Sequence, residues 1–255
     1  MKDRYEIQDL TKIYKHKCDF MEFFKNTLQQ YYESIEYTKN DEIDKIKEKI
    51  SWFVDKNLPL QFNLVGFPYK SQNSSKKVFK CQLDAAEIYS FEYLAHFLEK
   101  ISSAYTPGAQ LTIFTDGSAF CDIEGLSDDT VHAYEADLKA LTATYPAIKI
   151  TTLQDLIPNK TPAEMRTLIE NQPPLHEAFQ TKLAGDVHLQ QELLILEKRM
   201  HFEFAHPAGA LFLQKHSLQE ISQKILHRSL QFSSFLSQFR DKNDIRLSVH
   251  YQPTV

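Results

Sequence analysis

The chain has 255 residues, 42% of them hydrophobic and 25% charged, values ordinary for a globular protein and sufficient for a sizeable core. Lysine and arginine number 29 against 34 acidic residues, and the net charge of -5 argues against a nucleic-acid binder, which normally carries a basic excess. No stretch reaches the roughly 20 apolar residues that span a bilayer, and the N-terminal residues hold no apolar run of signal-peptide type.

In chain order, Ile43, Ile46, Ile50 and Phe53 recur at helical spacing in residues 41–54, with Asp41 and Glu42 at the favourable N-terminal end. Leu58-Pro59 breaks that helix, and Leu60 to Phe67 reads as a strand. The chain then turns polar and basic through Lys70, Ser71 and Asn73. Ile88, Phe91, Leu94, Leu98 and Ile101 predict a second helix over 84–101, and Pro107-Gly108 a turn. A β-rich run, AQLTIFTDG, ends at Asp116-Gly117. A helix is expected from Asp128 to Leu141, and another β-rich run at AIKITTL. After Pro158 the pattern becomes helical, opened by Thr161 as N-cap, Pro162 at the first helical position and Glu164 closing a capping box. It continues to about Phe239, with an irregular patch at HFEFAHPAG, and DIRLSVHYQ reads as a final strand.

This alternation predicts an α/β fold: a Rossmann-like parallel or mixed sheet covered by helices, with a mostly helical C-terminal half. The expected divisions are a helical segment at 1–57, an α/β core at 58–157, and a helical segment at 158–255 whose last strand returns to the core. Cys18, Cys81 and Cys121 fit neither a zinc spacing nor a disulfide framework, which points to a reducing cytoplasm. The histidines show no metal-ligand spacing: His201 and His206 are five apart. There is no Walker A loop, no G-x-G-x-x-G and no G-x-S-x-G elbow.

Ligands of parallel sheets bind beyond the carboxyl ends of the strands. Three such ends are polar here. After the first strand, Lys70 offers a charge, Ser71 and Asn73 hydrogen bonds, and Tyr69 a ring for stacking; a solvated loop is the competing reading. Asp116 can serve as a base or simply make an Asp-Gly turn. Arg246, Ser248 and His250 share one face of the last strand, as either a site wall or an exposed edge. On the late helix Arg228 and Ser229 flank the stripe Ile221, Ile225, Leu226 and Leu230, where Arg228 can clamp a phosphate or sit in water.

The blocks FPYKSQN, TPGAQLTIFTDGSAFCD, HRS and IRLSVH, in that order from Phe67 to His250, resemble the isocyanide (isonitrile) synthase family, also called the pyoverdine/dityrosine biosynthesis family. The resemblance implies an enzyme that converts the α-amino group of tryptophan or tyrosine to an isonitrile, with the extra carbon from the ketone carbon of ribulose 5-phosphate. It implies no metal or redox cofactor, and an iron/2-oxoglutarate oxygenase as a pathway partner. Carried onto this chain, it marks Phe67, Lys70, Ser71, Asn73, Asp116, Asp122, Arg228, Ser229, Arg246, Ser248 and His250, with Tyr69 in place of the usual Phe. Lys70, Arg228 and Arg246 are expected to hold phosphate or carboxylate, and Lys70, Asp116 and His250 form the expected catalytic set. Besides Tyr69, Gln72 stands for the usual Pro, and two departures delete a charge: Ser118 for the usual Arg and Leu230 for the usual Glu. The alternative is a catalytically inactive homologue that binds an amino acid or sugar phosphate in a regulatory role; a plain interaction domain would leave the same residues on the surface. The enzyme reading requires Lys70, Asp116, Arg228 and Arg246 to share one hollow.

Overall fold

Period-two alternation of bulky apolar residues builds the sheet. Leu60, Phe62 and Leu64 of β1 (Leu60–Val65), Leu111 and Ile113 of β2 (Ala109–Phe114), Ile148 and Ile150 of β3 (Ile148–Thr151) and Ile245 of β4 (Ile245–Leu247) are all buried. They face one core together with Ile50, Phe91, Phe97, Leu98, Ile101 and Tyr134. In the computed structural model, which describes residues 40–69, 73 and 83–247, the strand order is β3-β2-β1-β4 and every pairing is parallel. The fold is α/β, as the strand and helix alternation predicts, and the sheet is parallel throughout these residues.

The helices follow from stripes and caps. Helix α1 (Asn40–Asp55) buries Ile50 and Phe53 and ends before Asn57, whose φ is 53°. Helix α2 (Ala85–Ala104) starts at Asp84, whose side chain accepts from Ala86 N while Glu87 bonds back to Asp84 N. Its buried side is Phe91, Phe97, Leu98 and Ile101; Ile88, counted in the predicted stripe, is 41% exposed. A short helix, α3 (Gly117–Glu124), follows β2 where only a turn was expected. Next come α4 (Asp128–Thr142), capped by Ser127, and one turn, α5 (Leu153–Leu156).

The remaining chain is helical: α6 (Pro162–Glu170), α7 (His176–Gly185), α8 (Val187–Glu203), α9 (Pro207–Leu213) and α10 (Leu218–Leu236). Thr161 and Glu164 form the expected capping box, and the irregular patch is the break between α8 and α9. A second core of Phe114, Phe120, Met165, Ile169, Met200, Phe204, Ile221, Phe232 and Phe235 joins these helices to α3 and the end of β2. No described helix is long and apolar enough to cross a membrane.

Candidate active site

Because all four strands run parallel, the chain leaves each of them at one edge of the sheet. The order β3-β2-β1-β4 makes the connections diverge on either side of β1, so a crevice is expected between β1 and β4 at that edge. Strand β1 stops at Val65, earlier than the expected Phe67, since Phe67 adopts a left-handed φ of 55°. That turn lays the Phe67 ring on Phe91, with centroids 4.6 Å apart and planes at 11°. Tyr69 is buried, edge-on to Tyr134 at 5.7 Å. Asn73 is fully buried and its Nδ2 donates to Phe202 O at 2.8 Å, which ties this segment to the end of α8. Lys70 and Ser71 lie outside the described residues.

The start of α3 packs directly against this turn. A Cβ at Gly117 would lie 2.9 Å from Val131 Cγ1 and 3.3 Å from Tyr69 N, so only glycine permits the approach. Asp116 is the N-cap position of α3 but makes no side-chain cap bond. Its Oδ1 is buried with no hydrogen-bond partner. Burial pushes its carboxyl up to about 6; a bond to its own backbone N–H and the Arg199 charge oppose the rise, and Glu135 adds to it. Glu135, buried on α4, accepts from Thr115 Oγ1 at 2.7 Å and from Ser118 Oγ at 3.3 Å. Burial raises its carboxyl as well. Two carboxyls raised by burial thus lie at the end of β2, one of them with an open acceptor, an arrangement chemically suited to proton transfer.

Behind them lies a layer of ion pairs. Arg228 on α10 donates to Ala119 O at 3.0 Å and to Asp122 Oδ1 at 2.5 Å, and its Nη2 to Glu170. Arg166 on α6 grips both oxygens of Asp128, at 2.6 and 3.1 Å, and holds that carboxyl below its ordinary range. Cys121 is pushed up to about 12 by burial and its bond to Asp128. Asp122, Glu170, His176, Lys224, His227 and Arg228 are among the residues around a cavity of about 420 Å³, within the range of small-ligand sites. Ser229 is exposed and its Oγ donates to Ile225 O at 2.8 Å.

On β4, Arg246 is exposed and in register with Asn63. Ser248 and His250 lie outside the described residues. Of the four groups expected around one hollow, Arg228 lines the cavity, Asp116 and Arg246 do not, and Lys70 is outside the described residues. The sequence reading missed Glu135, Glu170, Arg166 and Arg199. Glu135 carried one faint signal, a carboxylate beside the apolar stripe Val131, Tyr134 and Leu138.

Comparison with known proteins settles the kinship. A model of the pyoverdine/dityrosine biosynthesis protein family matches residues 50–201. The chain belongs to that family. The match takes in Phe67, Asn73, Asp116 and Asp122 and ends before Arg228 and Arg246. An L-tryptophan isonitrile synthase of Fischerella ambigua, AmbI2, is 29% identical over 80% of this chain and 63% of its own length. An L-tyrosine isonitrile synthase of Pseudomonas aeruginosa is 28% identical over 84% of this chain and 68% of its own. The chain thus spans about two thirds of the length of these relatives. The crystal structure of the PvcA protein of Pseudomonas aeruginosa superposes with a TM-score of 0.77 at 23% identity, over 91% of this chain and 80% of that one, and shares the fold.

Proposed function

We propose that this member of the family is an isonitrile synthase that acts on the α-amino group of tryptophan or tyrosine and takes the added carbon from the ketone carbon of ribulose 5-phosphate. The observation that carries the reading is the family match, with relatives named tryptophan and tyrosine isonitrile synthases. The local chemistry supports it. An amino acid arrives as an ammonium and must lose a proton before its nitrogen attacks a ketone. Asp116, with an open buried oxygen and a carboxyl raised to about 6, is ionised at neutral pH and of suitable basicity to take that proton. The free amine then adds to the ketone carbon, and water leaves as the imine forms. Arg228 is given a positioning role in place of ligand binding, because Asp122, Glu170 and Ala119 O already occupy its donors.

The test is incubation of the purified chain with ribulose 5-phosphate and either tryptophan or tyrosine, with the isonitrile read by mass. A second reading, a homologue that binds these molecules without turning them over, is favoured by that same neutralisation of Arg228. It predicts ligand-dependent thermal stabilisation with no isonitrile.

A further inference from the structure

The two faces of the sheet differ. One is apolar in every strand. On the other, the in-register row Lys149, Thr112, Asn63 and Arg246 is polar across all four strands. Three side chains near this face end in buried polar atoms without a hydrogen-bond partner. Asn63 has its Oδ1 free, Thr151 its Oγ1, and Arg240 both Nε and Nη2.

Arg240 is the unusual one. Its guanidinium lies over the ring of Phe114, the last residue of β2, at 5.2 Å. Phe114 is in register with Val65 and Thr151, so Arg240 stands on the same face as that polar row, at the carboxyl edge where it borders the second core. The nearby carboxylate of Asp244 is turned elsewhere, accepting from Asn63 Nδ2 at 3.4 Å and from Asp241 N at 3.3 Å. Burial and the like charge of Arg246 lower the Arg240 guanidinium to about 10, against the opposing charge of Asp244. Nε and Nη2 form one of the two sides of a guanidinium whose parallel N–H bonds can clamp two oxygens of an oxyanion. A desolvated arginine fork with no hydrogen-bonded carboxylate is costly to the fold unless a ligand uses it.

We propose that Arg240 and Arg246, on the same face of the sheet, form the seat for a phosphate monoester dianion, with Asn63 Oδ1 and Thr151 Oγ1 left to meet hydroxyls of the carbon chain that bears it. Two guanidinium charges match a dianion better than a carboxylate. Arg240 as a whole is only partly buried, and the site requires its side chain to swing the buried fork toward the ligand. The site deepens the isonitrile synthase reading, on which its assignment to the sugar phosphate rests.

The experiment is calorimetric titration of the full chain, wild type and Arg240→Met, with inorganic phosphate, ribulose 5-phosphate and acetate, beside melting curves without ligand. The wild type should bind both phosphates and not acetate. Arg240→Met should weaken phosphate binding by about tenfold or more, the loss of a charge-assisted hydrogen bond, and should melt no lower than the wild type, since an unpaired buried charge is gone. Arg240→Lys keeps the charge and loses the fork; it should fold normally and bind phosphate more weakly. Unchanged phosphate binding in both variants, no binding by the wild type, or acetate bound as well as phosphate overturns the site. The reaction is judged separately. Phosphate binding lost in Arg240→Met, when the wild type itself forms no isonitrile, leaves the site and removes the reaction. Isonitrile formed by Arg240→Met at an unchanged KM for ribulose 5-phosphate removes the site and leaves the reaction.

Discussion

Glu135 holds the hydroxyls on either side of Asp116, Thr115 at 2.7 Å and Ser118 at 3.3 Å, while Asp116 itself keeps a buried oxygen without a partner. The hydrogen bonds commit the Glu135 carboxylate to scaffolding and leave an oxygen of Asp116 open. It also sets two buried negative charges in each other's field, so the ionisation of Asp116 costs more than burial alone would make it cost.

The first prediction concerns Asp116→Asn. The Asp116 carboxyl moves from an ordinary 3.8 to about 6 on folding, so the folded chain holds this proton more tightly than the unfolded one. Its stabilising contribution is fully present below 3.8 and is lost as pH rises through about 6. The amide should therefore stabilise the protein at pH 7, by on the order of 1–3 kcal/mol, and the gain should fade by about pH 4. Melting curves at the two pH values check this. Turnover should be lost in the same variant, and in the wild type kcat/KM should rise with pH through an inflection near 6.

Glu135→Gln tests the coupling. The amide oxygen still accepts from Thr115, but the charge that adds to the burial-driven rise of Asp116 is gone. The ascending limb of the pH–rate profile should move to lower pH, with the fold retained. A limb that stays in place would mean that Glu135 only braces the turn.

Arg166→Gln tests the ion pairs that fasten α6 to α3 and α4. The bidentate contact with Asp128 is partly screened by solvent, so the loss should be about 1–3 kcal/mol at pH 7. Arg166 holds the Asp128 carboxyl below its ordinary 3.8, so this stability exists above that value and is lost as pH falls through the lowered one. The difference between variant and wild type should shrink in acid, measured by denaturation at pH 7 and pH 3.

Much of this fold is legible in the residues, because burial writes its period into them. The stripe Phe91, Leu98, Ile101 and the alternation Leu111, Ile113 need only one face or one side of a pleat to be apolar. Helix α3 is not legible: it has eight residues, and Asp116-Gly117 gives a turn signal that also suits the start of a helix. The site is harder to read for a related reason. Arg228 and Asp122 look like two ligand-binding charges 106 positions apart, and only tertiary structure reveals that they bind each other. Arg240 stands alone ahead of a polar turn, with no period or motif to mark it; its significance lies in the missing partner of its buried fork.

The most direct measurement uses ribulose 5-phosphate carrying carbon-13 at the ketone position, incubated with the purified chain and tyrosine or tryptophan. The account predicts an isonitrile one mass unit heavier than the unlabelled product, with the heavy atom in the isonitrile carbon. A product without the label, or ligand binding with no isonitrile from either amino acid, would contradict it.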